Sequence, residues 1–163
     1  MITLVLGGTR SGKSALAEKI AAGDGAAVTY VATGWASDPA MEQRIAAHTA
    51  RRPAHWTTLE VVARDLAPAL LELEGTVLVD ALGTWVAAHP DFKLDVTALI
   101  EALVTRNGDT IVVSDEVGLG VHPSTEVGQQ FRDVLGSVNL AVAEVCDQVL
   151  LVVAGRVLPL ERW

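Results

Sequence analysis

Eight residues near the amino terminus, Gly7-Gly8-Thr9-Arg10-Ser11-Gly12-Lys13-Ser14, fit the pattern G-x-x-x-x-G-K-[ST]. Residues of these types in this order cradle a phosphate chain. The N–H groups of a glycine-rich turn and the positive end of the helix that follows converge on one anion. Lys13 would reach the β- and γ-phosphates of a nucleotide, and the Ser14 hydroxyl would hold Mg2+. The apolar run 1–6 (MITLVL) reads as a buried strand, and 15–22 (ALAEKIAA) reads as a helix. The pattern therefore lies in the strand–turn–helix context that its chemistry requires.

Two further sets of residues could do chemistry. Asp80 ends the apolar segment 76–80 (TVLVD), and Asp115, followed by Glu116, ends 110–115 (TIVVSD). Ligands of open α/β sheets sit beyond the carboxyl ends of the strands. A phosphate-loop enzyme needs an acid there to hold the Mg2+ shell. Spacing alone does not choose between Asp80 and Asp115, and either could instead cap the element that follows it. The second set is Arg44, His48 and Arg52, spaced i, i+4, i+8, with Arg51 adjacent. A helix continuing through them would put them on one face. That face is either ordinary solvated surface or an anion site with a nucleophilic imidazole. Neighbouring arginines keep a histidine neutral, and a neutral histidine can attack phosphorus. His55, His89 and His122 stand in proline-flanked, loop-like contexts that favour structural roles. A guanine-reading N-K-x-D run does not occur, so the chain is not an ordinary signalling GTPase.

Strand-like and helix-like segments alternate around these residues. Segment 28–33 (VTYVAT) reads as a second strand. A helix is expected over 39–48, with Asp38 as N-cap and Pro39 at its first position. Another is expected over 59–73, kinked at Pro68. Further helices are expected over 94–105 and over 126–146, the latter broken near Gly136. The last strand, 148–153, turns back through Gly155 into a hairpin strand over 156–160. Strands that are apolar throughout suit a parallel sheet covered on both faces, and the alternation predicts a doubly wound α/β domain.

The 163 residues suit one domain, 1–163, and 50% are hydrophobic, enough for a sizeable core. The formal net charge of -8 argues against broad nucleic-acid or anionic-membrane binding, but leaves room for a local positive cradle. One cysteine, Cys146, permits no internal disulfide and fits a reducing cytoplasm. The chain enters its first strand at once, so no signal peptide is expected, and no apolar run is long enough to span a bilayer.

The phosphate loop, VTYVAT, Arg44-Ile45-Ala46-Ala47-His48 followed by Arg52-Pro53-Ala54-His55-Trp56, and the run Asp115-Glu116-Val117-Gly118-Leu119-Gly120-Val121-His122-Pro123 occur together and in order. Phe131-Arg132-Asp133 leads through Gly136 to Val138-Asn139 behind them. In these features the whole chain resembles the bifunctional adenosylcobinamide kinase / adenosylcobinamide-phosphate guanylyltransferase family of cobalamin biosynthesis. The resemblance implies a RecA-like phosphate-loop fold, a trimer, and two reactions using ATP or GTP with Mg2+. In the first, adenosylcobinamide is phosphorylated. In the second, GMP from GTP passes through a histidine to adenosylcobinamide phosphate. It places the guanylylated histidine at His48, and nucleotide contacts at Gly7 through Ser14, at Thr33, Gly34 and Trp35, and at Ala50, Arg51, Arg52 and Pro53. Glu60 and Asp80 match further nucleotide positions, and Lys13, Ser14 and Asp80 would serve catalysis and the metal. The acid at position 80 is Asp where the family often has Glu. Ala47 stands where relatives carry a second histidine, and the stretch 80–110 looks short for a substrate-side insert. The alternatives are another small-molecule kinase with no covalent step, or a nucleotide-binding switch.

Overall fold

The computed structural model describes residues 1–163 apart from 24, 26, 35–42, 44, 45, 47, 48, 51, 62–65 and 163. Seven strands form one sheet in the order β3-β2-β4-β5-β1-β6-β7. They are β1 (Ile2–Gly7), β2 (Val28–Ala32), β3 (Thr57–Glu60), β4 (Thr76–Asp80), β5 (Thr110–Asp115), β6 (Gln148–Val153) and β7 (Arg156–Leu160). The first six are parallel; β7 returns antiparallel to β6 as the expected hairpin. The described helices are α1 (Lys13–Ala22), α2 (Leu66–Glu72), α3 (Leu82–Ala87), α4 (Val96–Thr105) and α5 (Glu126–Val145).

Side chains alternate across the strands and so divide the core in two. Leu4, Leu6, Val77, Val79 and Val112 pack with α2 to α5 on one face. Val5, Leu78, Ile111 and Val113 pack with Ala17 and Ala21 of α1, Tyr30 and Trp56 on the other. The same period of two sends Asp80, two residues beyond Leu78, and Asp115, two beyond Val113, to the α1 face. Both acids therefore sit on the side of the sheet where the phosphate loop delivers its helix.

The five expected parallel strands appear within a residue of their expected bounds, but three expectations need correction. The helix expected over 59–73 is instead strand β3 followed, after residues 62–65, by α2. The β-branched Thr57 and Thr58 pair in register with Thr29 and Tyr30, which covers the edge of β2. Pro68 causes no kink because it lies in the first turn of α2, where a missing N–H breaks no intrahelical bond. The break near Gly136 is absent: α5 runs unbroken for 20 residues. Burial of Leu135, Val138 and Val142 and the Thr125 cap, whose hydroxyl accepts from Gly128 N, outweigh the cost of about 1 kcal/mol for a mid-helix glycine. Helix α3 was not expected. Its Gly83, Thr84 and Val86 are weak helix formers, and burial of Leu82, Trp85 and Val86 makes it. The helix expected over 39–48, with Asp38 and Pro39 at its start, lies mostly outside the described residues, although Gln43, Ala46, Thr49 and Ala50 are helical.

At the opposite, amino-terminal edge of the sheet, Arg106 ties loops together. Its guanidinium donates to the carbonyls of Gly75 (2.7 Å), Asp109 (3.0 Å) and Gly108 (3.2 Å) and to the Thr110 hydroxyl. Burial lowers its pKa, and the nearby Asp109 partly offsets that shift.

Candidate active site

The phosphate loop turns between β1 and α1 on two left-handed residues, Arg10 (φ 58°) and Gly12 (φ 99°). Gly7 is required by close approach: a Cβ there would lie 2.6 Å from the Val152 carbonyl and 2.5 Å from Ser11 Oγ. Ser11 N donates to Gly8 O at 3.2 Å and closes the turn. The β6–β7 hairpin braces it from outside, with Gly155 N donating to Ser11 O at 2.8 Å. Ser14 follows in the first turn of α1, partly buried.

Lys13 is buried, yet its ammonium faces the loop. Nζ donates to Gly8 O at 3.2 Å and forms an ion pair with Asp115 Oδ1 at 2.7 Å. A buried cation held in this way is satisfied while free and can exchange partners when a phosphate arrives. Asp115 is itself held. Asn139 Nδ2 donates to its carbonyl at 3.0 Å, while the Ser114 hydroxyl donates to Asn139 Oδ1 at 2.6 Å. Gly83 lets α3 approach, since a Cβ at that position would stand 2.7 Å from Asp115 Oδ2. Asn139 carried a sequence signal that went unused: an amide on the apolar stripe of Leu135, Val138 and Val142.

Asp80 occupies a different environment. The Tyr30 hydroxyl donates to its carboxylate. The Arg52 guanidinium lies over the Tyr30 ring, 3.3 Å from the centroid, and donates from Nη1 to the Thr58 hydroxyl at 3.1 Å. Burial, with Asp80 adding to it, pushes the Tyr30 pKa far above the ordinary phenol value, against the opposing pull of Arg52. Thr33 fastens the ends of β2 and β4. Its N–H donates to Asp80 O at 3.1 Å, its Oγ1 accepts from Ala81 N at 3.1 Å, and its hydroxyl donates to Ala81 O at 2.6 Å. Gly34 lies against Thr84, 3.4 Å from the site of a missing Cβ. Glu60 ends β3 in register with Ala32, which pairs with Asp80 on its other side.

The expected site residues thus divide into two groups. Gly7 through Ser14 gather with Asp115, whereas Thr33, Gly34, Arg52, Glu60 and Asp80 gather at the ends of β2, β3 and β4. Ala50 and Pro53 stand within two residues of Arg52 in the sequence. Trp35, Arg44, His48 and Arg51 lie outside the described residues. The expected alignment of Arg44, His48 and Arg52 on one helix face therefore falls mostly outside the described residues. Arg52 N closes a tighter turn on Thr49 O at 3.2 Å, because Pro53 disfavours helical geometry in the residue before it. His89, expected to be structural, is buried with Nδ1 2.8 Å from Trp85 O. Trp56 was not expected at the site. It is 9% exposed, and its indole N–H and Arg52 Nε are buried without partners.

Oxygen donors dominate this edge: the Ser14 hydroxyl and the carboxylates of Asp80 and Asp115. That set fits Mg2+, which takes one or two protein oxygens and fills its shell with phosphates and water. It does not fit a metal caged by the protein alone, and no group of three or more His, Cys, Asp or Glu able to hold a metal occurs among the described residues.

Residues 3–160 match the family described as cobinamide kinase / cobinamide phosphate guanyltransferase. The chain is 44% identical to the bifunctional adenosylcobalamin biosynthesis protein CobP of Pseudomonas aeruginosa, covering 99% of this chain and 98% of that protein. It is 38% identical to the bifunctional adenosylcobalamin biosynthesis protein CobU of Salmonella typhimurium, covering 95% and 97%. Among solved structures it is similar to a prototypical ATPase of a bacterial type III secretion system, with a TM-score of 0.59 over 92% of this chain at 12% identity. The chain spans half the length of that ATPase, and the likeness carries the RecA-like phosphate-loop fold alone.

Proposed function

This chain belongs to the cobinamide kinase / cobinamide phosphate guanyltransferase family, and on that premise we propose that one catalytic domain, 1–163, carries out two phosphorus transfers in cobalamin biosynthesis. In the first, the hydroxyl of the aminopropanol arm of adenosylcobinamide attacks the γ-phosphorus of ATP or GTP. An O–P bond forms, the bond to the bridging oxygen breaks, the nucleoside diphosphate leaves and the hydroxyl proton passes to solvent. In the second, a neutral imidazole nitrogen of His48 attacks the α-phosphorus of GTP and pyrophosphate leaves. A phosphate oxygen of adenosylcobinamide phosphate then attacks the GMP phosphorus. The N–P bond breaks, giving adenosylcobinamide-GDP and free His48.

The observation that carries this reading is the Lys13 ammonium, buried at the loop mouth and held 2.7 Å from Asp115. On nucleotide binding Lys13 exchanges Asp115 for phosphate oxygens and offsets the charge that develops on the transferred group. The N–H groups at the start of α1 orient the same phosphates. Ser14 and Asp80 would hold Mg2+, which neutralises phosphate charge. By the family resemblance, Thr33, Gly34, Trp35, Ala50, Arg51, Arg52, Pro53 and Glu60 would supply the remaining nucleotide contacts. Arg52 brings a cation to it, and His48 belongs to the segment just before. We further propose that the enzyme works as a homotrimer in the cytoplasm, on small molecules and not on nucleic acid; no described helix is long and apolar enough to cross a membrane.

Steady-state assays test the two steps separately. Wild-type protein with ATP and adenosylcobinamide is expected to give the phosphate, and GTP added next to give the GDP derivative. His48→Ala is expected to stop at the phosphate. Equal guanylyl transfer by wild type and His48→Ala would sink the assignment.

A further inference from the structure

A cleft of about 380 Å³ lies between the turn after β5 and the outer face of α5, and the nucleotide contacts proposed above do not use it. Its walls include Glu116, Val117, Arg132, Asp133, Gly136 and Ser137. The cleft adjoins the phosphate loop. Glu116 directly follows Asp115, the partner of Lys13, and Glu116 N donates to Gly7 O at 3.1 Å. Adjacent residues are about 3.8 Å apart at Cα, so one wall begins a single residue from the group that holds the loop lysine. The Glu116 carboxylate fixes this wall by accepting from Gly118 N and Leu119 N.

Building on the proposed function, we infer that this cleft receives the hydroxyl-bearing arm of the corrinoid acceptor and aims it at the terminal phosphate. The volume falls within the range of small-molecule sites, but it suits an arm and not a whole macrocycle. The walls match an amide-bearing arm: Ser137, Arg132 and Glu116 offer donors and acceptors, and Val117 and Leu140 offer apolar contact. In the loop that continues from Gly118, Leu119 and Val121 are 82% and 96% exposed, apolar surface on which the ring can lie. Gly136 keeps the cleft open. A Cβ built there meets no atom within 4 Å, so a side chain at 136 would project into free space without disturbing α5.

That open position makes Gly136→Leu the test. The substitution fills the cleft while favouring the helix. The KM for adenosylcobinamide is expected to rise about tenfold or more. The affinity for GTP, and the rate at which GTP alone labels the protein with GMP, should stay within about twofold of wild type. Gln130→Leu, an exposed site elsewhere on α5, should change neither. An unchanged acceptor KM in folded Gly136→Leu protein would overturn the inference and leave the proposed function standing. Parallel loss of GTP affinity and GMP labelling would overturn it too, because the damage would not be confined to the acceptor. A wild-type protein that transfers nothing to a cobinamide would remove the proposed function and this inference with it.

Discussion

Asp115 and Asp80 end neighbouring strands, face the same side of the sheet and have the same chemistry, yet the fold gives them different partners. Asp115 takes the phosphate-loop ammonium at 2.7 Å. Asp80 takes a phenol hydroxyl, with an arginine stacked over that phenol. The difference follows from strand order. β5 lies directly beside β1, so its end meets the loop that leaves β1, and β4 lies one strand further out. Identical carboxylates thus become, in one case, the partner of the phosphate-loop ammonium and, in the other, the acceptor of a phenol hydroxyl beside a stacked arginine.

Substitutions can break this comparison, and the largest effect is expected at the shared cation. Lys13→Ala removes the proposed phosphate contact and should lower kcat/KM for both transfers by roughly 10²–10³-fold. Full kinase activity in that variant would remove the loop from the mechanism. Asp115→Asn frees Lys13 from its partner and should cost about 10²-fold in both transfers with little change in the Mg2+ concentration required. Asp80→Asn should cost about tenfold at saturating Mg2+, and raise the Mg2+ midpoint by a similar factor. A Mg2+ midpoint that moves in Asp115→Asn and not in Asp80→Asn would exchange the two assignments.

Smaller effects sharpen the contrast. Tyr30→Phe leaves Asp80 short of a donor and should lower stability by about 1 kcal/mol, read as a shifted urea midpoint. Tyr30 is the single tyrosine of the chain, so tyrosinate absorbance reports on it alone. Its pKa is raised in the folded state, so the protonated phenol contributes stability below the ordinary value of about 10, and that contribution is lost as pH rises beyond it. Tyrosinate should therefore appear only as the protein unfolds in alkali, and smooth ionisation near the ordinary value would contradict the buried Tyr30–Asp80 pair. Burial also pushes the Cys146 thiol up to about 12, so thiol reagents near neutral pH should label the native protein far more slowly than the unfolded chain.

Much of this arrangement was legible in the sequence where local rules decide. The loop pattern, the all-apolar strands and the Gly155 hairpin each depend on neighbours a few residues away. The choice between Asp80 and Asp115 was not legible, because it depends on which strand lies beside β1, and strand order is set by long-range packing. β3 and α3 were missed for the same reason. Thr57-Thr58 becomes a strand only because β2 offers an edge, and 82–87 becomes a helix only because Trp85 and its neighbours are buried. The Tyr30–Asp80 bond joins residues 50 positions apart, and the Asn139 support of Asp115 spans 24, beyond any local pattern.

The central claim is that one phosphate-loop site also forms a covalent GMP intermediate. It is tested most directly by incubating the protein with Mg2+ and GTP labelled at the α-phosphate, without acceptor. The account predicts an acid-labile, alkali-stable adduct of GMP mass on His48, absent in His48→Ala. Intact nucleotide binding with no adduct would contradict it and leave a plain phosphate-loop kinase.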